Sequence, residues 1–240
     1  MSIILTSKLD FSDKDENGVR HSKIIENKNE VLTNIIDRLT KYDTVVVVAN
    51  DPNNIENDFR ASTFFESLDK TGLVFKNKLI LDERNKNKAK SIIESADLIF
   101  LTGGRIVSGK EFYTSIKLAK LLKNHKGVII GASAGSMLLC KEICDFPEMM
   151  FDTFEAGYVD GLGLVDNILL IPHFDGETKT YQGNAERDIV KDYILPFSYK
   201  KEMIGVPNDS YILVDENGKK SYGDVFSIKD GNVVKIKIEE

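Results

Sequence analysis

The chain of 240 residues is 42% hydrophobic and 29% charged, with a formal net charge of −6. Such a chain can bury a substantial core, and its acidic balance argues against a nucleic-acid-binding protein, which needs a basic face. With two cysteines, no leader-like N-terminus and no apolar run approaching about 20 residues, we expect a cytoplasmic protein without a disulfide framework or a membrane span.

Patterns typical of strands and helices alternate along the first three quarters of the chain. The β-branched run TVVVV at 44–48 is typical of a strand buried in a parallel sheet, whereas residues 31–39 carry apolar side chains at helical spacing. The polar segment 10–29 is expected to be a loop. Predicted strands are residues 2–6, 44–50, 73–81, 97–104, 127–133 and 167–175, and predicted helices are residues 30–42, 55–70, 84–95, 110–125 and 134–143.

This alternation predicts an α/β fold in which a mostly parallel sheet is flanked by helices on both faces. The C-terminal segment differs, because the turn signals at 216–218 and 230–232 separate alternating runs and predict antiparallel hairpins added at a sheet edge. There is no internal repeat and no linker-like composition, so we expect one domain spanning residues 1–240.

The segment Gly131-Ala132-Ser133-Ala134-Gly135 joins a predicted strand to a predicted helix. A G-x-S-x-G turn at this junction is typical of a nucleophile elbow, in which small neighbours permit a sharp, strained turn that exposes the serine hydroxyl. The N–H group of Ala134 would then face a developing oxyanion. The alternative is a tight turn in which Ser133 packs or caps the helix. Ser136, one turn into the helix, is a weaker candidate because such a serine more often bonds to the backbone.

A serine nucleophile needs a base, and the chain contains three histidines. His21 lies in a polar segment, and His125 lies at a predicted helix end, where it needs no catalytic role. His173 instead follows a buried-type strand, at the edge where open α/β sheets place their ligands. In an α/β-hydrolase the acid lies between the serine and a histidine near the C-terminus. His173 follows Ser133 by only 40 residues, and this short spacing argues against that fold.

Three segments in this order, ADLIFLTGG, GVIIGASAG and ILLIPHFD, resemble the peptidase E (aspartyl dipeptidase) family of serine peptidases, which also includes cyanophycinases. The resemblance is densest over residues 97–175. It implies a flavodoxin-like α/β fold similar to that of class I glutamine amidotransferases, with a serine in place of their cysteine. It also implies that Ser133 is the nucleophile, His173 the base, and Gly104 or Gly103 a donor to the oxyanion beside Ala134.

Three aspartates are candidates for the acid that completes the catalytic set. Asp145 resembles the family's Asp-x-Pro aspartate, and Asp175 follows His173 at the spacing of the amidotransferase acid. Asp209 lies beside the position of a family glutamate, which Asn208 occupies here, and this is a departure from the family pattern. We rank Asp145 first, Asp175 second and Asp209 third.

The resemblance implies a short peptide as substrate, with an N-terminal aspartate as the family preference. Arg187, which follows the histidine, and Arg105, which follows the glycine pair, are the basic candidates for binding an acidic substrate group. No metal or organic cofactor and no nucleic-acid partner is implied, and the chain is expected to be a monomer or a homodimer. The alternatives are a cyanophycinase-like or other amide hydrolase on the same fold, or an inactive amidotransferase-like binding domain.

Overall fold

The computed structural model describes residues 1–177, 179, 181–183 and 185–240. The strands are, in chain order, β1 (Ser2–Thr6), β2 (Ser12–Lys14), β3 (Arg20–Ser22), β4 (Thr44–Val48), β5 (Asn77–Leu81), β6 (Leu98–Leu101), β7 (Val128–Ala132), β8 (Glu142–Asp145), β9 (Gly157–Asp160), β10 (Leu170–Pro172), β11 (Met203–Val206), β12 (Tyr211–Asp215), β13 (Gly218–Tyr222), β14 (Val225–Lys229) and β15 (Asn232–Ile236).

The helices of the described residues are short, apart from one of 14 residues that precedes the edge strand β5. They are α1 (Val31–Ile36), α2 (Asn57–Lys70), α3 (Ala89–Ser95), α4 (Ile106–Ser115), α5 (Leu118–Leu122), α6 (Ala134–Leu139) and α7 (Leu195–Ser198), with 3₁₀ turns at Lys28–Glu30 and Glu83–Lys88 and a π-helical turn at Val190–Ile194. None of these described helices has the length and apolar character needed to cross a membrane.

A seven-stranded sheet in the order β13-β12-β1-β7-β6-β4-β5 forms the centre of the fold. Strands β1, β7, β6, β4 and β5 run parallel, and β12 and β13 add an antiparallel edge. Every residue of β4, β6 and β7 is buried, as expected for strands covered on both faces. The predicted mixed α/β fold is therefore confirmed.

Successive side chains of these strands enter two different apolar clusters, because alternate residues of a strand point to opposite faces. Val46 and Ile129 join the cluster beneath α3 to α6, whereas Val45 and Ile130 join the cluster beneath α1 and α2. Burying each such side chain contributes about 1.5–3 kcal/mol, so both faces of the sheet hold the helices in place.

A second sheet has the order β10-β11-β14-β15, and its strands come from the C-terminal third of the chain, before and after β12 and β13 of the central sheet. The turn at 216–218 joins β12 to β13 at the edge of the central sheet, as predicted. The turn at 230–232 joins β14 to β15, which belong to the second sheet instead. Turn chemistry predicted both hairpins, but it does not determine which sheet a hairpin joins.

Three local predictions were wrong. The helix predicted over 134–143 ends at Leu139, and residues 142 and 143 belong to β8. The segment expected to be a loop contains the β2–β3 hairpin, whose turn includes Gly18 at a φ of 77°. The Asn17-Gly18 pair is a hairpin signal, but the exposed flanking residues carry no apolar alternation. The helix predicted over 110–125 is broken at Lys117, which has a left-handed φ of 56°, and the second piece buries Leu118 and Leu122 completely.

Candidate active site

The carboxyl ends of β6, β7 and β10 open onto one cavity of about 670 Å³. Ligand crevices of open α/β sheets lie at this edge. Side chains of both charges line it, namely Lys8, Asp13, Lys14, Arg20, Arg105, Asp145, Glu148 and Asp152. A larger cavity of about 870 Å³ lies at the opposite end of the parallel strands and contains His125, far from the predicted site.

Ser133 occupies the sharp turn between β7 and α6. Its backbone has a φ of 52° and a ψ of −121°. Residues other than glycine rarely adopt this backbone conformation, and it costs about 1–3 kcal/mol. Its N–H group donates to the carbonyl of Thr6 at 2.9 Å, which fixes the turn against β1. The strain and the strand–turn–helix context are those of a nucleophile elbow.

Ser136 has no access to the cavity. Its side chain is completely buried, and its Oγ lies 2.7 Å from the carbonyl oxygen of Thr6 and 2.6 Å from that of Gly131. Ser136 therefore bonds to the backbone, as expected from its position one turn into the helix.

His173 lies directly after β10, and its Nε2 is 2.8 Å from Ser133 Oγ. Its backbone is also left-handed, with a φ of 62°, and its N–H group donates to Ser7 Oγ at 3.0 Å. The Ser7 hydroxyl donates in turn to the carbonyl of Val206 at 2.6 Å, which connects β1, β10 and β11 behind the histidine. Burial lowers the pKa of His173 below its usual 6.5, so the ring is neutral and able to accept a proton at pH 7.

The other ring nitrogen of His173 faces an amide, not a carboxylate. Nδ1 lies 2.6 Å from Asn208 Oδ1. Asp209, the next residue, turns away and pairs with Lys28 at 3.4 Å. Asp175 accepts a hydrogen bond from the Gln182 side chain at 3.2 Å. The structure therefore brings Ser133 and His173 together but places neither Asp175 nor Asp209 on the ring.

Asp145 ends β8 and lines the cavity, and among the described residues its carboxyl group makes no hydrogen bond to His173. Burial raises the pKa of its carboxyl group to about 6, and the nearby carboxylate of Glu148 adds to this. Burial also raises the pKa of Glu148, although the hydroxyl of Tyr181 donates to its Oε1 at 3.0 Å. This wall of the cavity therefore presents two carboxyl groups that a cation would stabilise in the charged form.

The two glycines after β6 pack closely against different neighbours, Gly103 against the serine turn and Gly104 against the side chain of Asn50. A Cβ on Gly103 would lie 3.2 Å from Ser133 Cβ, and a Cβ on Gly104 would lie 2.3 Å from Asn50 Oδ1. Gly104 has a φ of 155° and lines the cavity beside Ser133 and Ala134. Only glycine fits at these two positions without displacing its neighbours. Gly104 and Ala134, the predicted oxyanion donors, both line the cavity beside Ser133.

Both predicted substrate-binding arginines have partners within the protein. Arg105 lines the cavity, but its guanidinium pairs with the buried Asp152 and lies over the ring of Phe151 at 5.7 Å. Arg187 lies outside the lining and donates to three backbone carbonyls of the loop at 149–152, at 3.1–3.3 Å. The Arg187 side chain therefore stabilises the conformation of this loop.

Sequence reasoning missed several residues around the site. Ser7 lies 166 positions before the histidine that it supports, and nothing in its neighbourhood signals that contact. Lys14 and Arg20 lie opposite each other on the β2–β3 hairpin and line the cavity. The Asn17-Gly18 turn signal between them is the feature that could have predicted this pairing.

Comparison with known proteins places the chain in a family. The sequence profile described as "Peptidase family S51" matches residues 21–222. Among solved structures, a peptidase from an acI-B1 Actinobacterium superposes with a TM-score of 0.66 at 16% identity, covering 100% of this chain and 95% of that one. A candidate peptidase E protein from Listeria monocytogenes EGD-e gives 0.53 at 15% identity, covering 99% and 98%. No curated protein sequence matches the chain significantly.

Proposed function

Because the chain belongs to peptidase family S51 and is a serine peptidase, we propose that Ser133 is its nucleophile, His173 its general base and short peptides its substrates. The observation that carries this proposal is the 2.8 Å contact between His173 Nε2 and the hydroxyl of a serine on a strained turn. Proton transfer requires this distance, and exposure of the hydroxyl requires this turn.

In the proposed reaction, His173 Nε2 accepts the proton of Ser133 Oγ as the oxygen attacks the peptide carbonyl carbon. The histidine then donates that proton to the leaving amine, and water hydrolyses the acyl-enzyme by the same route. Asn208 Oδ1 accepts a hydrogen bond from the protonated Nδ1, and this tautomer leaves Nε2 without a proton and able to act as the base. An amide carries no net charge, so it orients the ring but stabilises the imidazolium less than a carboxylate would.

We assign the oxyanion site to the N–H groups of Gly104 and Ala134. Both residues line the cavity beside Ser133, and Gly104 follows the glycine that contacts the serine side chain. Loss of one such donor typically costs about 3 kcal/mol in the transition state.

The charges of the cavity wall support a short peptide with free ends. The hairpin side presents Lys14 and Arg20, and no acid among the described residues pairs with either. The β8 strand and the loop after it contribute Asp145 and Glu148 to the same lining. A dipeptide with a free ammonium group and a free carboxylate offers one charged group to each of these sets. The preference for an N-terminal aspartate is what the resemblance to peptidase E implies.

The test is hydrolysis of a dipeptide panel (Asp-Leu, Leu-Leu, Lys-Leu, and Asp-Leu with its amino or carboxyl end blocked) by the protein and by two variants. Ser133→Ala removes the proposed nucleophile, and Ser91→Ala, an exposed position on α3, is the matched control. We expect turnover of free dipeptides, led by Asp-Leu, that Ser133→Ala abolishes and Ser91→Ala preserves. Turnover that persists in Ser133→Ala would contradict the assignment of the nucleophile, and equal turnover of the blocked peptides would contradict the proposed substrate class.

A further inference from the structure

Four polar side chains form a continuous line of hydrogen bonds behind the proposed nucleophile. His173 Nδ1 lies 2.6 Å from Asn208 Oδ1, and Asn208 Nδ2 donates to Gln182 Oε1 at 2.9 Å. Gln182 Nε2 donates in turn to Asp175 Oδ2 at 3.2 Å. The line thus connects the histidine to a carboxylate through two uncharged amides.

The direction of this line follows from the chemistry of its last member. An ionised carboxylate has only acceptors, so Asp175 requires the amino group of Gln182 to point towards it. Gln182 must then offer its oxygen to Asn208, and Asn208 must offer its amino group to Gln182. The oxygen of Asn208 is left facing His173, where it can pair only with a protonated Nδ1. Without the carboxylate, each amide could turn over and still make the same number of bonds.

We propose that Asp175 and Gln182 are positioning residues that orient the Asn208 amide and so hold His173 in the tautomer with a free Nε2. The inference rests on the proposed roles of Ser133 and His173. This arrangement explains how an amide can replace a carboxylate as the partner of Nδ1. The carboxylate of Asp175 sets the direction of the hydrogen bonds through two intervening side chains.

Backbone hydrogen bonds hold Gln182 and Asp175 close to the histidine. The N–H group of Gln182 donates to the carbonyl of His173 at 3.0 Å, and Asp175 Oδ1 accepts the N–H group of Glu177 at 3.1 Å. Asp175 follows the histidine by two residues, so the carboxylate is carried by the same segment as the base. Three members of the line, His173, Asp175 and Gln182, therefore belong to the segment that follows β10, and Asn208 comes from the segment after β11.

The test separates hydrogen-bond direction from hydrogen-bond number. Asp175→Asn keeps the size of the side chain and leaves an oxygen that can still accept from Gln182, but it removes the preference for one direction. The double variant Asp175→Asn, Gln182→Glu moves the carboxylate by one position, so that residue 182 again accepts from Asn208. Asp209→Asn, which replaces the neighbouring exposed carboxylate, is the control.

Two readouts are measured for each variant: kcat and KM on the best dipeptide, and the ¹⁵N signals of the His173 ring in long-range NMR spectra. If one tautomer of the ring makes one hydrogen bond more than the other, the equilibrium between the two tautomers changes about fivefold. For Asp175→Asn we therefore expect kcat to fall about fivefold at nearly constant KM, with the ring signals moving towards a mixture of tautomers. The double variant should restore both, and Asp209→Asn should change neither.

Unchanged ring signals in Asp175→Asn, or failure of the double variant to restore them, would overturn the inference. The NMR readout does not depend on turnover, so it tests the inference even if no peptide is hydrolysed. Absence of turnover by the unmodified protein would instead count against the proposed function.

Discussion

Asn208→Asp places a full negative charge beside His173 Nδ1, where the protein now has an amide oxygen at 2.6 Å. Two unit charges about 4 Å apart interact by about 4 kcal/mol at an effective dielectric constant of 20. One pKa unit corresponds to about 1.4 kcal/mol, so this interaction sets a ceiling of about three units. Asn208 is only half-buried, and water screens the charge, so we expect the pKa of His173 to rise by about one to two units.

The assay is the pH dependence of kcat/KM, because the proposed base works only when the ring is neutral. Burial keeps the pKa of His173 below 6.5, so the unmodified protein should retain activity below that pH and lose it as the ring becomes protonated. In Asn208→Asp the acidic limb should move upwards by the same one to two units. Asp209→Asn should leave the limb in place, because Asp209 faces Lys28. An unmoved limb in Asn208→Asp would refute the contact between residue 208 and the ring.

Three further outcomes are expected. Gly104→Ala should lower kcat about 10²- to 10³-fold, measured by steady-state kinetics, because its Cβ would clash with Asn50 and displace the proposed oxyanion donor. Arg187→Met should lower the free energy of unfolding by about 1–3 kcal/mol in urea titrations, since three carbonyls of the loop at 149–152 lose their donor. Asp145→Asn should stabilise the protein by about 1–2 kcal/mol at pH 8 but not at pH 4, because the folded-state pKa of about 6 exceeds the unfolded value and the charged form is penalised only at higher pH.

Much of the fold was predictable because burial on both faces leaves a local signature. The continuous apolar runs of β4 and β7 identify parallel strands at their correct positions, and the turn residues identify the C-terminal hairpins. Exposed strands lack an apolar pattern, and for this reason the segment that forms the β2–β3 hairpin was predicted as a loop.

The proposed nucleophile and base were predictable for a related reason. A strained turn needs small residues on both sides of Ser133, and a histidine after a buried strand lies at the ligand-binding edge of the sheet. These requirements act over a few residues, so they are visible in the sequence. Their joint position within 2.8 Å depends on the pairing order of the strands.

The partner of His173 Nδ1 was decided by tertiary structure. Three aspartates had suitable local contexts, but the bend after β11 brings Asn208 to the ring and leaves Asp175 two side chains away. The loop contacts of Arg187 and Arg105 were likewise decided by distant backbone and side-chain groups. The sequence by itself determined which chemical groups stand at the ends of the strands, because strand and turn signals are local. Only the packed structure decided which of them meet, because hydrogen-bond partners are set by three-dimensional distances of a few ångströms.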